Sequence, residues 1–225
     1  MTRVRLVLFD LDGTLVDSAP DIAEAANAAL RAVGREVRSE EEIRHFIGNG
    51  AERLIHRCLT GLRDGNAPSP LHQTAYSEFL RRYADCVSAR SKLFPGVQET
   101  LAVLSAADIT MGCITNKPER FTHPLLADMG LACHFQIVLG GDSLPVKKPD
   151  PAPLLHAAET CGVSPQESVM VGDSFTDLAA ARAAGMRIFC VSYGYPAGVD
   201  LRAHAPDAWV DDMRDFLPKL LPEVR

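Results

Sequence analysis

Four short stretches of this chain carry residue types that could do chemistry together: Asp10-Leu11-Asp12-Gly13-Thr14, Thr115-Asn116-Lys117, Lys147-Lys148-Pro149-Asp150, and Gly172-Asp173-Ser174 with Asp177 just beyond. Clustered carboxylates repel one another, and an isolated buried ion is expensive. A hard divalent cation removes that difficulty, and Mg2+ prefers a few carboxylates, a carbonyl, water and a substrate phosphate. Beside such a cation Asp10 can stay ionised as a nucleophile. A dianionic phosphoryl group repels an attacking carboxylate, so the cation, an ammonium from Lys147 or Lys148 and the Thr115 hydroxyl are needed to screen it. Asp12 lies two residues beyond Asp10, which in extended backbone puts both side chains on one side. One carboxyl can then attack phosphorus while the other serves the leaving oxygen as general acid. Gly13 permits the tight turn beneath them.

These groups are far apart in sequence, so the fold must gather them. Arg5–Asp10 reads as a strand ending at the Asp12-Gly13 turn signal. Further strands are expected at Ile109–Thr115, Phe135–Leu139, Ser168–Val171 and Ile188–Val191, alternating with helices near 119–130, 151–161 and 175–185. That rhythm predicts an α/β fold, a doubly wound parallel sheet with helices on both faces. In such a sheet ligands bind outside the carboxyl ends of the strands, where all four stretches fall.

The stretch from 18 to about 91 breaks the rhythm and reads as helices alone. Ser18 with Asp21 resembles a capping box, followed by AEAANAALRAV and a stop at Gly34. Ser39 with Glu42 starts a second helix, and others follow at about 50–62 and 71–91. The expectation is a small helical cap domain over 17–92 inserted into a catalytic core made of 1–16 and 93–225.

Composition narrows the partners. The chain has 225 residues and a formal net charge of −6 with no basic stripe, so nucleic acid is not expected. Nothing approaches the roughly 20 apolar residues of a membrane span. No export signal is visible, and the six scattered cysteines lack a C-x-x-C spacing. Reduced thiols in a cytoplasmic protein are expected. The seven histidines likewise lack zinc-ligand spacing.

The order D-x-D-G-T, a Thr after a later strand, K-P-D-P and G-D-S-x-x-D resembles the haloacid-dehalogenase-like phosphohydrolase superfamily over almost the whole chain, cap included. GNGAERLI (48–55), FPGV (94–97), ITNKP (114–118), GGDSLPVKKPDPAPLL (140–155) and SYGYPAG (192–198) resemble its phosphoglycolate phosphatases. The resemblance implies that Asp10 forms an aspartyl-phosphate and that Asp12 protonates the leaving alkoxide, then activates the hydrolytic water. It implies that Thr115 and Lys148 hold the phosphoryl oxygens; Lys148 is chosen over Lys147 because it directly precedes Pro149. Asp173 would bind Mg2+ with Asp10 and the backbone carbonyl of Asp12, and Asp177 would act through a metal-bound water or steady Lys148. The implied reaction is hydrolysis of a small phosphorylated metabolite, 2-phosphoglycolate first, by a monomer or homodimer. Thr176 and Pro196 depart from the family by standing where Asn is common.

Each stretch alone has a plainer reading, as a turn or a helix start. Together they would leave an uncompensated negative patch with no structural benefit. In the cap, Asn49, Gly50 and Arg53 are candidates to meet the substrate, alongside Asn116 in the core. Arg53 is the nearest cap cation for a substrate carboxylate. Rival readings are a phosphatase for sugar phosphates, nucleotides or pyrophosphate, a β-phosphoglucomutase-like phosphomutase, and a non-catalytic phosphate-binding protein. The mutase is disfavoured because Ala51 stands where its caps resemble G-x-S-R.

Overall fold

The structure is a computed structural model that describes residues 3–195 and 197–221. Pro196, one of the departures named above, lies outside them. The strands are β1 (Leu6–Phe9), β2 (Val16–Asp17), β3 (Lys92–Leu93), β4 (Thr110–Ile114), β5 (Ile137–Leu139), β6 (Ser168–Gly172), β7 (Arg187–Val191) and β8 (Ala208–Val210). The helices are α1 (Ala19–Ala32), α2 (Glu40–Arg44), α3 (Ala51–Thr60), α4 (Ser69–Ala84), α5 (Val97–Ala106), α6 (Glu119–Asp128), α7 (Ala152–Thr160), α8 (Phe175–Ala184) and α9 (Leu217–Leu220).

Strand β1 is apolar throughout because it is buried on both faces. Leu6 and Leu8 pack beneath α7 and α8, while Val7 and Phe9 pack with α5, α6 and the segment 213–220. This is the period-2 alternation of a strand between two helical layers. Six strands form one parallel sheet in the order β5-β4-β1-β6-β7-β8. The doubly wound α/β core expected from the sequence is present. Register then does the positioning. Phe9 pairs with Cys113 on one side and Val171 on the other, so Asp10, Thr115 and Asp173 leave neighbouring strands at nearly one level.

The helical insert hangs from a two-stranded antiparallel stem, with Val16 opposite Leu93 and Asp17 opposite Lys92. The Ser39–Glu42 capping box is formed at the start of α2. The one expected at Ser18–Asp21 is not. Ser18 Oγ instead donates to Asp12, and the buried Asp21 carboxylate accepts from the backbone N–H groups of Arg90 and Ser91 and from Ser91 Oγ. Ser18 has been drawn back to the β1 end and Asp21 across to residues 90–91, and these contacts override the helix-capping option. The helix expected over 71–91 runs from Ser69 to Ala84, so that 85–91 are free to meet Asp21. Among the described residues no helix is long and apolar enough to cross a membrane, and all six cysteines are free.

Candidate active site

Four segments meet at the carboxyl ends of β1, β4 and β6. Lys148 lies at the centre, 2 % exposed, with Nζ 3.0 Å from Asp10 Oδ1 and 2.6 Å from Asp177 Oδ1. It also donates to the Ile114 carbonyl at 2.5 Å. Of the two adjacent lysines, Lys148 is the one buried among the carboxylates; Lys147 Nζ lies instead beside Gly50 of the cap. Asp177 serves two neighbours, since its other oxygen accepts from Ser174 N–H and Oγ and closes a capping box on α8.

Asp10, Asp173 and Asp177 each offer a carboxylate oxygen, and these oxygens lie within 4.8 Å of one another. Such a group could hold a metal ion. Asp173 is oriented by Thr14 Oγ1 at 2.6 Å and by the Tyr195 N–H at 2.7 Å. Gly13 makes this possible in two ways: its φ of 90° suits the left-handed region, and a Cβ there would fall 2.3 Å from Asp173 Oδ2.

The electrostatics bear the mark of crowding. Burial pushes the Asp10 carboxyl up to about 7, against the pull of Lys148 and with the push of Asp177. Burial likewise raises Asp173, and the charges of Asp10 and Asp177 add to it. Burial alone would lower the Lys148 ammonium, yet Asp10 and Asp177 hold it above its ordinary value. One buried ammonium among several carboxylates leaves negative charge in excess, the condition a cation relieves.

Asp12 stands beside this group, facing another partner. Both its oxygens accept from Lys117 Nζ, at 3.0 and 3.1 Å. Lys117 also donates to Tyr83 Oη of α4 at 2.5 Å, so a core cation bridges Asp12 and the cap. Neither Lys117 nor Tyr83 was assigned a role from sequence. The TNK stretch at a strand end was the available signal for Lys117, whereas nothing local marks Tyr83. Thr115 is buried, lines the cavity with Asp10 and Asp12, and accepts the Lys117 N–H on Oγ1. Asn116 Nδ2 donates to the carbonyls of Gly48 and Lys148, both at 2.9 Å, which ties the cap loop to the core. Its buried Oδ1 has no partner.

The cap residues divide. Gly50 lines the cavity with φ of 89°. Asn49 turns back to accept from Arg57 Nη2 at 2.8 Å. Arg53 does not reach the cavity: its guanidinium donates to the Arg63 and Gly65 carbonyls and to Asn66 Oδ1, closing the cap's own 63–66 loop. The reason is proximity: the carbonyls of the 63–66 loop lie within reach of a long side chain in the first turn of α3, and Arg57 shares the one at Arg63. Arg57 is the more structural cation, 4 % exposed and bonded to the Phe46 carbonyl as well as Asn49, so it fixes the loop that carries Gly48 and Gly50. Ile22, Ile47, Leu54, Phe79 and Phe121 complete an apolar wall facing the carboxylates.

The parallel sheet thus carries the acidic cluster at its mouth and the helical insert between β2 and β3. Residues 7–191 match the model of the haloacid dehalogenase-like hydrolases, and the chain belongs to that family. It is an enzyme of the phosphatase branch, as its relatives indicate. It is 47% identical over 213 residues to the phosphoglycolate phosphatase of Nitrosococcus oceani, covering 95% of each chain. It is 46% identical over 208 residues to that of Thiobacillus denitrificans, covering 90% of this chain and 92% of the other. Among solved structures, a predicted phosphoglycolate phosphatase from Haemophilus somnus superposes with a TM-score of 0.91 at 34% identity, over 98% of this chain and 100% of that one.

Proposed function

We propose that the chain hydrolyses 2-phosphoglycolate to glycolate and phosphate, in a Mg2+-dependent reaction through an aspartyl-phosphate on Asp10, with residues 17–92 acting as the cap domain. The observation that carries this reading is the Lys148 ammonium held between Asp10 and Asp177, with Asp173 close enough to share an ion. An all-oxygen donor set with surplus negative charge fits Mg2+. Asp10, Asp173 and the Asp12 backbone carbonyl would hold it, with Asp177 steadying Lys148. When bound, the ion would supply charge neutralisation between nucleophile and phosphoryl group.

The chain's own residues do the rest. Asp10 attacks phosphorus in line with the leaving alkoxide, and the P–O bond to the alkoxide breaks as the Oδ–P bond forms. Lys148 and the Thr115 hydroxyl steady the phosphoryl oxygens. Asp12 gives its proton to the alkoxide and later takes one from the water that attacks the aspartyl-phosphate. Its position between Lys117 and Ser18 fixes its side chain for both steps. The cap's apolar wall keeps other water away from the intermediate.

The experiment is phosphate release from 2-phosphoglycolate with Mg2+ and with a chelator, against sugar phosphates, nucleotides and pyrophosphate. Metal-dependent turnover that is fastest on 2-phosphoglycolate and absent in Asp10→Asn is expected. Equal rates with chelator, or a clear preference for another phosphate, would overturn the reading.

A further inference from the structure

The cavity between cap and core has acid at one end and hydrocarbon at the other; among the described residues Lys117 is the cation in its wall, with Lys148 buried behind Asp10 and Lys147 Nζ beside Gly50. Its side chain is 3 % exposed, with Nζ on Asp12 and on Tyr83 Oη, 4.6 Å from the Tyr83 ring centre. We propose that Lys117, steadied by Tyr83 of the cap, receives the second anionic group of the substrate: a carboxylate close to its phosphate. This rests on the phosphomonoesterase reading above and names the residue that gives it selectivity.

The argument is one of matching charge. The phosphate end of a two-headed anion meets Lys148 and Thr115 beside Asp10. Its other end must lie within the same small cavity, where Ile47, Leu54, Phe79 and Phe121 offer no compensation. A carboxylate left against that wall would be an unpaired charge in a dry site. Arg53 is committed to the 63–66 loop and Asn116 Nδ2 to two carbonyls, while Lys147 Nζ lies beside Gly50 outside the cavity wall. Lys117 has three ammonium protons. Its three acceptors are the two oxygens of Asp12 and Tyr83 Oη, so an arriving carboxylate would take over the proton now given to the farther Asp12 oxygen. Tyr83 belongs to α4, so this receptor is complete only with the cap seated on the core. A phosphate ester of the same size without the carboxylate gains nothing from it.

The test uses the full chain at fixed Mg2+ with 2-phosphoglycolate and ethyl phosphate, which differ by the carboxylate. In the Asp10→Asn background calorimetry reads binding without turnover. 2-Phosphoglycolate should bind about tenfold or more tighter than ethyl phosphate, the scale of one charge-assisted hydrogen bond. Lys117→Met should erase most of that advantage. Lys117→Gln, which keeps a hydrogen-bond donor and a similar volume, should do the same in a chain that still melts cooperatively, with a lower midpoint because Asp12 loses its cation. In chains with Asp10 intact, the ratio of kcat/KM for the two substrates should fall by the same factor, chiefly through KM. If both Lys117 variants keep the binding preference while kcat drops alike for both esters, Lys117 serves Asp12 alone and the assignment is wrong. If the unaltered chain hydrolyses ethyl phosphate but shows no preference for the carboxylate, the proposed substrate fails together with this inference.

Discussion

Lys148 touches two carboxylates and a carbonyl at once in a cleft from which it is scarcely visible to solvent. Lys148→Ala should lower kcat by roughly a hundredfold or more, the scale of one transition-state electrostatic contact. It should also lower stability near neutral pH by about 3–5 kcal/mol, because Asp10 and Asp177 are left unpaired and buried. Steady-state kinetics and urea unfolding read the two effects separately. The Asp10 shift makes a further prediction for metal-free protein. Its folded value, about 7, lies above the unfolded value of 3.8, so the folded state binds more protons between them. Stability from this group is full below the unfolded value and is lost as pH rises through the folded one. Melting temperature without metal should therefore fall from pH 5 to pH 8, and added Mg2+ should restore more of it at pH 8; a flat metal-free profile would contradict the shift. The residues brought together here were legible because each sits at a strand end in a short motif. The turn of Arg53 toward the 63–66 loop was not legible, because sequence gives no direction to a long side chain. Tyr83 was missed because its meaning depends on Lys117, across a distance in sequence that no local pattern spans.

At the scale of elements, the contrast between two capping boxes is instructive. Ser39 and Glu42 cap α2 because the other partner of Glu42, Arg38, takes only its second oxygen. Ser18 and Asp21 have the same spacing but were claimed by Asp12 and by the backbone of Arg90 and Ser91. Asp21 therefore clamps the end of the insert to its beginning. Asp21→Ala should destabilise by on the order of 3 kcal/mol, since buried N–H donors lose a charged acceptor. Hydrogen exchange should then rise first at residues 90–91, and Asp21→Asn, which still accepts, should be milder. Short pieces escaped the reading of the sequence for a related reason. The stem strands β2 and β3 are two residues each, and β8 three, too brief for alternation to register. They exist because a partner strand is already in place beside them.

Across the whole molecule, alternation of apolar strands with helical segments was enough to expect a parallel sheet between two helical layers. It could not show that cap and core would share buried apolar residues, which here run continuously from Phe9 and Val171 to Ile22, Phe79 and Tyr83. That continuity argues for coupled behaviour. Phe79→Ala should cost about 3–5 kcal/mol for a large buried aromatic, and should raise KM as well, because Phe79 also walls the cavity. A unimpaired KM would mean that the wall is rebuilt by its neighbours. The stem has one more consequence. Since the polypeptide departs at Val16–Asp17 and comes back alongside at Lys92–Leu93, everything between is a pendant whose two ends already touch. The order of the six central strands owes nothing to its length or contents. Descendants of such a chain can lengthen or shorten the pendant far from the stem without disturbing the strands, so long as Ser18 and Tyr83 keep their hold on the groups behind the doorway.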